Sequence, residues 1–148
     1  MESTLIYTGA GLAIGLAGFG VALWQGLIAK QSIEILGKNP KLESTLRTYT
    51  ILGIALVETA AIYGLIVAWK ILSDDTLLWA QALGAGLAIG ITGCGVGLAQ
   101  GKFVAGVLES INRNPENTQT ASQFMFVFIA LLESVAIYGL VLALKILG

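Results

Sequence analysis

Two carboxylates carry the chemical interest of this 148-residue chain. Glu58 lies in ALVETAAIYGL (55–65) and Glu133 in ALLESVAIYGL (130–140), each in the middle of a long apolar run. An acidic side chain at the centre of a membrane-spanning helix costs about 2.5–3.5 kcal/mol on insertion scales. Two of them at the same depth, in duplicated surroundings, point to function, and the default function of an intramembrane acid is on an ion path. Gln25 precedes Pro40 by 15 residues and Glu58 follows it by 18; Gln100 and Glu133 stand at the same distances from Pro115. At about 1.5 Å per residue on antiparallel helices, each glutamine falls near the depth of its glutamate. Thr59 and Ser134 follow the acids directly. Tyr63 and Tyr138 lie five residues further on, about 140° round the helix from the acid. The carbonyls of Leu56 and Leu131 are further acceptors wherever local geometry frees them. Carboxylate, amide, hydroxyl and phenol make an all-oxygen set with one negative charge, which suits a hard monovalent cation. An occupied site of that kind is neutral and crosses lipid at far lower cost than an ionised one. A proton needs only the carboxyl, whose pKa burial can raise into the neutral range; the additional oxygens favour Na⁺, with H⁺ as the alternative.

The elements that hold these residues follow from composition. The chain is 56% hydrophobic and 11% charged, with a mean hydropathy of +0.85. A soluble domain carries about a quarter charged residues. Four stretches, roughly 5–29, 50–72, 77–101 and 123–147, reach the length of about 20 apolar residues that a bilayer span needs. They use nearly the whole sequence, so no soluble catalytic domain is expected. Histidine is absent, which removes imidazole acid–base chemistry and the commonest metal ligand. The net charge of −1 offers no basic surface for nucleic acid. Cys94 is the single cysteine and forms no internal disulfide. MESTLIYTGAG has no basic segment before its apolar run, so the first span reads as a retained helix.

The two halves align at a constant offset of 75 without a gap, with about 30 of 73 positions identical. Each half reads as helix, polar loop, helix: a first hairpin over 1–73, with helices about 4–36 and 46–72, and a second over 76–148, with helices about 77–111 and 119–147. The loops, GKNPKLESTLR (37–47) and NRNPENTQTAS (112–122), turn at Asn-Pro, where the proline disfavours helix in the residue before it. Helices are required because lipid-exposed backbone must satisfy its own hydrogen bonds. Lys30, Lys38, Lys41, Arg47, Lys102 and Arg113 lie toward these loops; only Lys70 and Lys145 lie at the other side. By the positive-inside rule the loops are cytoplasmic, and both termini and Asp74-Asp75 face out. Trp69 and Trp79 suit the outer boundary. GAGLAIGLAGFG (9–20) and GAGLAIGITGCGVGLAQG (84–101) repeat glycine at four-residue spacing, as in Gly11/Gly15, Gly86/Gly90 and Gly93/Gly97/Gly101. Such stripes let helix backbones approach closely in lipid. GAGLAIG also has the outline of a dinucleotide-binding turn, but the strand and βαβ unit that motif requires are missing.

These residues resemble the proteolipid (c or K) subunit of rotary ion-translocating ATPases over essentially the whole chain. GLAQGKFVAGVLESINRNPE (97–116) with ALLESVAIYGL is similar to the second hairpin of four-helix V/A-type subunits; QGLIAKQSIEILGKNP (25–40) with ALVETAAIYGL is similar to a sodium-binding, single-hairpin F-type subunit. The resemblance implies an all-α membrane protein of four transmembrane helices, two duplicated helical hairpins, assembling into a homo-oligomeric ring that turns against a membrane stator. It implies ion-site roles for Gln25, Glu58, Thr59 and Tyr63 in one hairpin and Gln100, Glu133, Ser134 and Tyr138 in the other. The backbone of Leu56 or Leu131, and of Ala60 or Val135, would contribute. Lys38, Asn39, Pro40, Arg113, Asn114 and Pro115 would dock the central stalk, and a stator arginine on another subunit would empty each site. The chain itself would hydrolyse nothing and would sit in a prokaryotic plasma membrane. Four-helix proteolipids often keep the acid in the second hairpin only, whereas this chain keeps both. The alternative class is a small proton-coupled four-helix antiporter, but there the glutamate is expected in the first helix, which here has none between Glu2 and Glu34.

Overall fold

A computed structural model describes residues 2–74 and 76–148. Among the described residues five α-helices make four long bars: α1 (Glu2–Lys38), α2 (Glu43–Val57) and α3 (Thr59–Leu72) in line, α4 (Trp79–Arg113) and α5 (Thr118–Leu147). All four bars are long and apolar enough to cross a membrane. The interruption between α2 and α3 falls on Glu58, whose φ of −66° and ψ of −23° remain helical, so the two segments run on as one span. Asp75, expected to face outward with Asp74, lies outside the described residues.

The hairpin turns follow from the Asn-Pro pair. Asn39 and Asn114 leave the helical region, with φ −138° and ψ 76° and with φ −143° and ψ 86°, as the following proline disfavours helix there, and each opens one turn of 3₁₀ helix. The Asn39 N–H still bonds the Ile35 carbonyl at 2.8 Å and that of Asn114 bonds Ser110 at 3.0 Å, so both helices end cleanly. Lys38, Pro40, Arg113, Asn114 and Pro115 are exposed there and Asn39 is half-buried.

The closest packing is between α1 and α4, which run parallel. Gly9 lies on the Ala82 backbone, Gly20 on Cys94, Gly90 on Leu12 and Gly97 on Val21, so a Cβ at any of them would strike backbone. Removing side chains here brings two polar backbones together inside an apolar environment, where dispersion and weak polar contacts replace hydrophobic driving force. The stripes contribute unequally: Gly86, Gly90, Gly93, Gly97 and Gly101 of α4 all meet α1, whereas Gly11 and Gly15 of α1 meet nothing within 4 Å. The bar α2–α3 packs on α1 and α4, with Gly64 against the Ala13 carbonyl, and α5 packs on α4. Gln31 on α1 donates to Glu109 on α4 at 3.1 Å, fixing the register of the hairpins near the loop end.

Candidate ion-binding site

In the second hairpin, Gln100 on α4 is completely buried. Its Nε2 donates to Glu133 Oε2 at 2.6 Å and to the Ile129 carbonyl at 3.3 Å. Two acceptors on one side fix the amide orientation, since only the NH₂ end can satisfy them. What remains is unusual: Gln100 Oε1 and Glu133 Oε1 are both buried without a hydrogen-bond partner. Leaving a buried acceptor unsatisfied costs about 1–3 kcal/mol, more when it is charged. None of the ion pairs among the described residues involves Glu58 or Glu133; they join Lys30 to Glu34, Arg47 to Glu43 and Arg113 to Glu109 near the loops. The pocket therefore presents a carboxylate and an amide oxygen with no protein cation to neutralise them. A small cation, or a proton on the carboxyl, would.

The surrounding groups fall differently from a grouping by hairpin. Tyr63 on α3, in the first hairpin, brings its phenol up to the Glu133 carboxyl of the second, without closing a well-formed hydrogen bond to the free Oε1. Its 140° offset from Glu58 is the physical reason: a side chain that far round the helix serves the neighbour's acid, not its own. The Thr59 hydroxyl donates to the Leu56 carbonyl at 2.8 Å and Ser134 to Leu131 at 2.7 Å, so the two carbonyls expected as free acceptors are each engaged by the hydroxyl three residues on. Ala60 is fully buried; Val135, its counterpart, is exposed.

In the first hairpin the same parts are present but apart. Gln25 Nε2 reaches the Ile54 carbonyl at 3.4 Å, matching the Gln100–Ile129 contact. Glu58 is exposed and accepts no side-chain hydrogen bond among the described residues. Tyr138 is 67% exposed. The structure thus brings Gln100, Glu133 and Tyr63 together and leaves Gln25, Glu58 and Tyr138 unassembled. The Tyr63–Glu133 pairing across hairpins is the feature that reading each half separately missed; the angular offset was the signal for it.

At the end opposite the Asn-Pro loops, the Thr76 hydroxyl and amide donate to Asp74 Oδ1 at 2.6 and 2.9 Å. These bonds hold the Asp74 carboxyl below the ordinary carboxylate range.

Two duplicated hairpins of membrane-crossing helices, closed on glycine and carrying an acid at matching depth, define a multi-pass membrane proteolipid. A family model described as the ATP synthase C-subunit matches residues 8–69 and again residues 83–146, once per hairpin. The chain belongs to this ATP synthase C-subunit family, the non-catalytic ring subunits of that synthase. It is 42% identical over 76 residues to ATP synthase c-subunit 2 of Cereibacter sphaeroides, covering 51% of this chain and 92% of the relative. It is 36% identical over 69 residues to the ATP synthase c-subunit of Carboxydothermus hydrogenoformans, covering 47% and 84%. It is 46% identical over 59 residues to the chloroplastic ATP synthase c-subunit of Emiliania huxleyi, covering 40% and 72%. Each match takes about half of this chain and most of the relative, so these relatives correspond in length to one hairpin. The family assignment goes to the ring subunit, not to the antiporter alternative.

Proposed function

We propose that this chain is the rotor-ring subunit of a rotary ATP synthase or ATPase and that it carries Na⁺ across the membrane on Glu58 and Glu133. The observation that carries the ion choice is the pair of buried, unpartnered oxygens, Gln100 Oε1 and Glu133 Oε1. A cation accepts lone pairs from both at once, whereas hydrogen bonding by one proton demands a narrow geometry between them. H⁺ is the second reading, favoured only by the fact that protonation alone neutralises Glu133.

The work of the site is charge cancellation. A half-buried Glu133 carboxylate with one oxygen fully buried and no cationic partner cannot face lipid cheaply. Loaded with a monovalent ion it is neutral and can. Gln100 holds the carboxyl in place through its amide, and Tyr63 stands over the same group. Release then requires a competing positive charge, which an arginine on a separate stator subunit would supply as the ring turns. The exposed turns around Lys38, Pro40, Arg113 and Pro115 share one end of the bundle and suit docking of a central stalk on the cytoplasmic side of a prokaryotic plasma membrane.

The test is twofold. Glu133→Gln and Glu58→Gln should each abolish or sharply reduce ion-coupled turnover of the assembled enzyme; full coupled turnover in the double variant would refute the reading. Labelling of the carboxyls by a hydrophobic carbodiimide should be suppressed by Na⁺. Labelling that ignores millimolar Na⁺ at every pH would move the reading to protons.

A further inference from the structure

Near the Asn-Pro loops, two helix faces are covered inside this chain while their repeat counterparts are bare. On α4, Gly101 lies on Trp24, Val104 on Gly53, and Leu108 is fully buried. Their counterparts 75 residues earlier on α1 are open: Gly26 meets nothing within 4 Å, Ala29 is half-buried and Ile33 is 67% exposed. On α1, Ile28 and Ile35 are buried, and Trp24 and Gln31 meet α4. Their counterparts on α4 are Phe103, Ser110, Ala99 and Gly106, and with Lys102 these border an open groove of about 630 Å³. The bare strip of α1 is thus the equivalent of the α4 strip that packs on α1, and the groove is the equivalent of the surface it packs on. A second copy of this chain, presenting its α1, is the occupant that fits.

The polar groups do not follow the repeat. Within the chain, Glu109 Oε2 accepts from Gln31 Nε2 across the seam at 3.1 Å, and Glu109 Oε1 accepts from Arg113 Nε on its own helix at 3.3 Å. At a boundary between copies the counterpart of Glu109 is Glu34 and that of Gln31 is Gly106, which has no side chain to donate. Glu34 keeps a cation on its own helix, Lys30 Nζ at 3.6 Å, but lacks the donor across the seam. Lys102 can supply one. It stands one turn before Gly106 on the same helix face, where its counterpart is the apolar Leu27. It is exposed, borders the groove, and forms no ion pair among the described residues. Its four-carbon stem covers a helical turn of about 5.4 Å, and Gly106, with nothing within 4 Å, leaves the way open.

We propose that Lys102 of one copy and Glu34 of the next form an ion pair that keys the boundary between copies, in the place that the Gln31–Glu109 hydrogen bond holds inside each chain. This rests on the rotor-ring reading above. The two kinds of seam then differ in chemistry: folding closes one with an amide donor, and assembly closes the other with a charged donor. Opposite charges favour one orientation of successive copies, lysine face to glutamate face, and penalise both like-faced pairings. A charged key near the loops is also screened by salt, whereas the amide bond inside the chain is not.

The test uses the full chain extracted in detergent, in a Cys94→Ser background. Gly106→Cys together with Glu34→Cys should give a ladder of covalent multimers with a short bifunctional thiol reagent. The counterpart pair, Gln31→Cys with Glu109→Cys, should be joined inside the chain and give no ladder. Reversing one charge, by Lys102→Glu or by Glu34→Lys, should shift most of the chain from the large particle to small species at low salt. The chain carrying both reversals has opposite charges at every boundary again and should recover the large particle, as should a mixture of the two single variants. Single variants that assemble as the wild type does overturn the proposal, and so does failure of both the double variant and the mixture. No multimers from the first cysteine pair in a particle of wild-type size, or a ladder from the second pair, overturns it as well. A wild-type chain that extracts as only one or two copies would instead end the rotor-ring reading itself.

Discussion

Replacing Gln100 by Leu isolates the bond on which the preformed site depends. Leucine approximates glutamine in bulk and the position is fully buried, so the α4 packing survives while the amide is lost. The deleted contact is the 2.6 Å donation to Glu133 Oε2, a short bond to a charged acceptor. Hydrogen bonds to charged groups contribute about 1.5–3 kcal/mol. The amide oxygen, left without a partner, is removed as well, and with it one of the oxygens proposed to hold the cation. At about 1.4 kcal/mol per factor of ten, Na⁺ binding at Glu133 should weaken by roughly ten- to a hundredfold. The assay is Na⁺ protection of Glu133 against a hydrophobic carbodiimide in the purified assembly, with Glu58 in the same sample as the internal reference. An unchanged half-protection concentration at Glu133 would refute the reasoning. So would an equal change at both glutamates, which would mean a general loss of packing.

The glycine interface yields a contrast between two positions on one helix. Gly90→Ile drives a side chain into the Leu12 carbonyl and Leu16, and should cost about 1–3 kcal/mol of stability, read as a lower thermal unfolding midpoint of the extracted chain. Gly95 meets nothing within its own chain, yet it is the counterpart of Gly20, which lies on the Cys94 backbone. Gly95→Leu should therefore insert normally and fail to form the large particle by size analysis, while Gly37→Leu, at an exposed position near the loop, should assemble as wild type. In the linker, Asp74 has a lowered pKa in the folded chain, so the stability its turn provides is present above the ordinary carboxylate range and fades as pH falls through the lowered value. Thr76→Ala should return the Asp74 titration, followed by carbon NMR, toward the ordinary value.

Much of the fold is legible because lipid narrows the choices. Runs such as 50–72 have to be helical, and Asn39-Pro40 and Asn114-Pro115 have to be turns, whatever else the chain does. The repeat of 75 likewise announced two equal hairpins. The pairing of Gln100 with Glu133 followed from counting residues to Pro115, because helical rise converts sequence distance into depth. Counting cannot say which faces meet. Gly11 and Gly15 carry the same spacing as Gly86 and Gly90, yet only the latter pair is covered in the chain, since the choice depends on which neighbour each helix has. Tyr63 illustrates the same limit: it follows Glu58 on the same helix, but it points to Glu133. The hydroxyls of Thr59 and Ser134 turned to carbonyls on their own helices, an economy available to any Ser or Thr in a helix and invisible to composition.

The most direct measurement is equilibrium binding of radioactive sodium to the purified assembly, counted per chain. The account predicts two Na⁺ ions retained per chain, one of them lost in Glu133→Gln and the other in Glu58→Gln. Retention of no sodium by the wild type, or retention that survives both substitutions together, would contradict it.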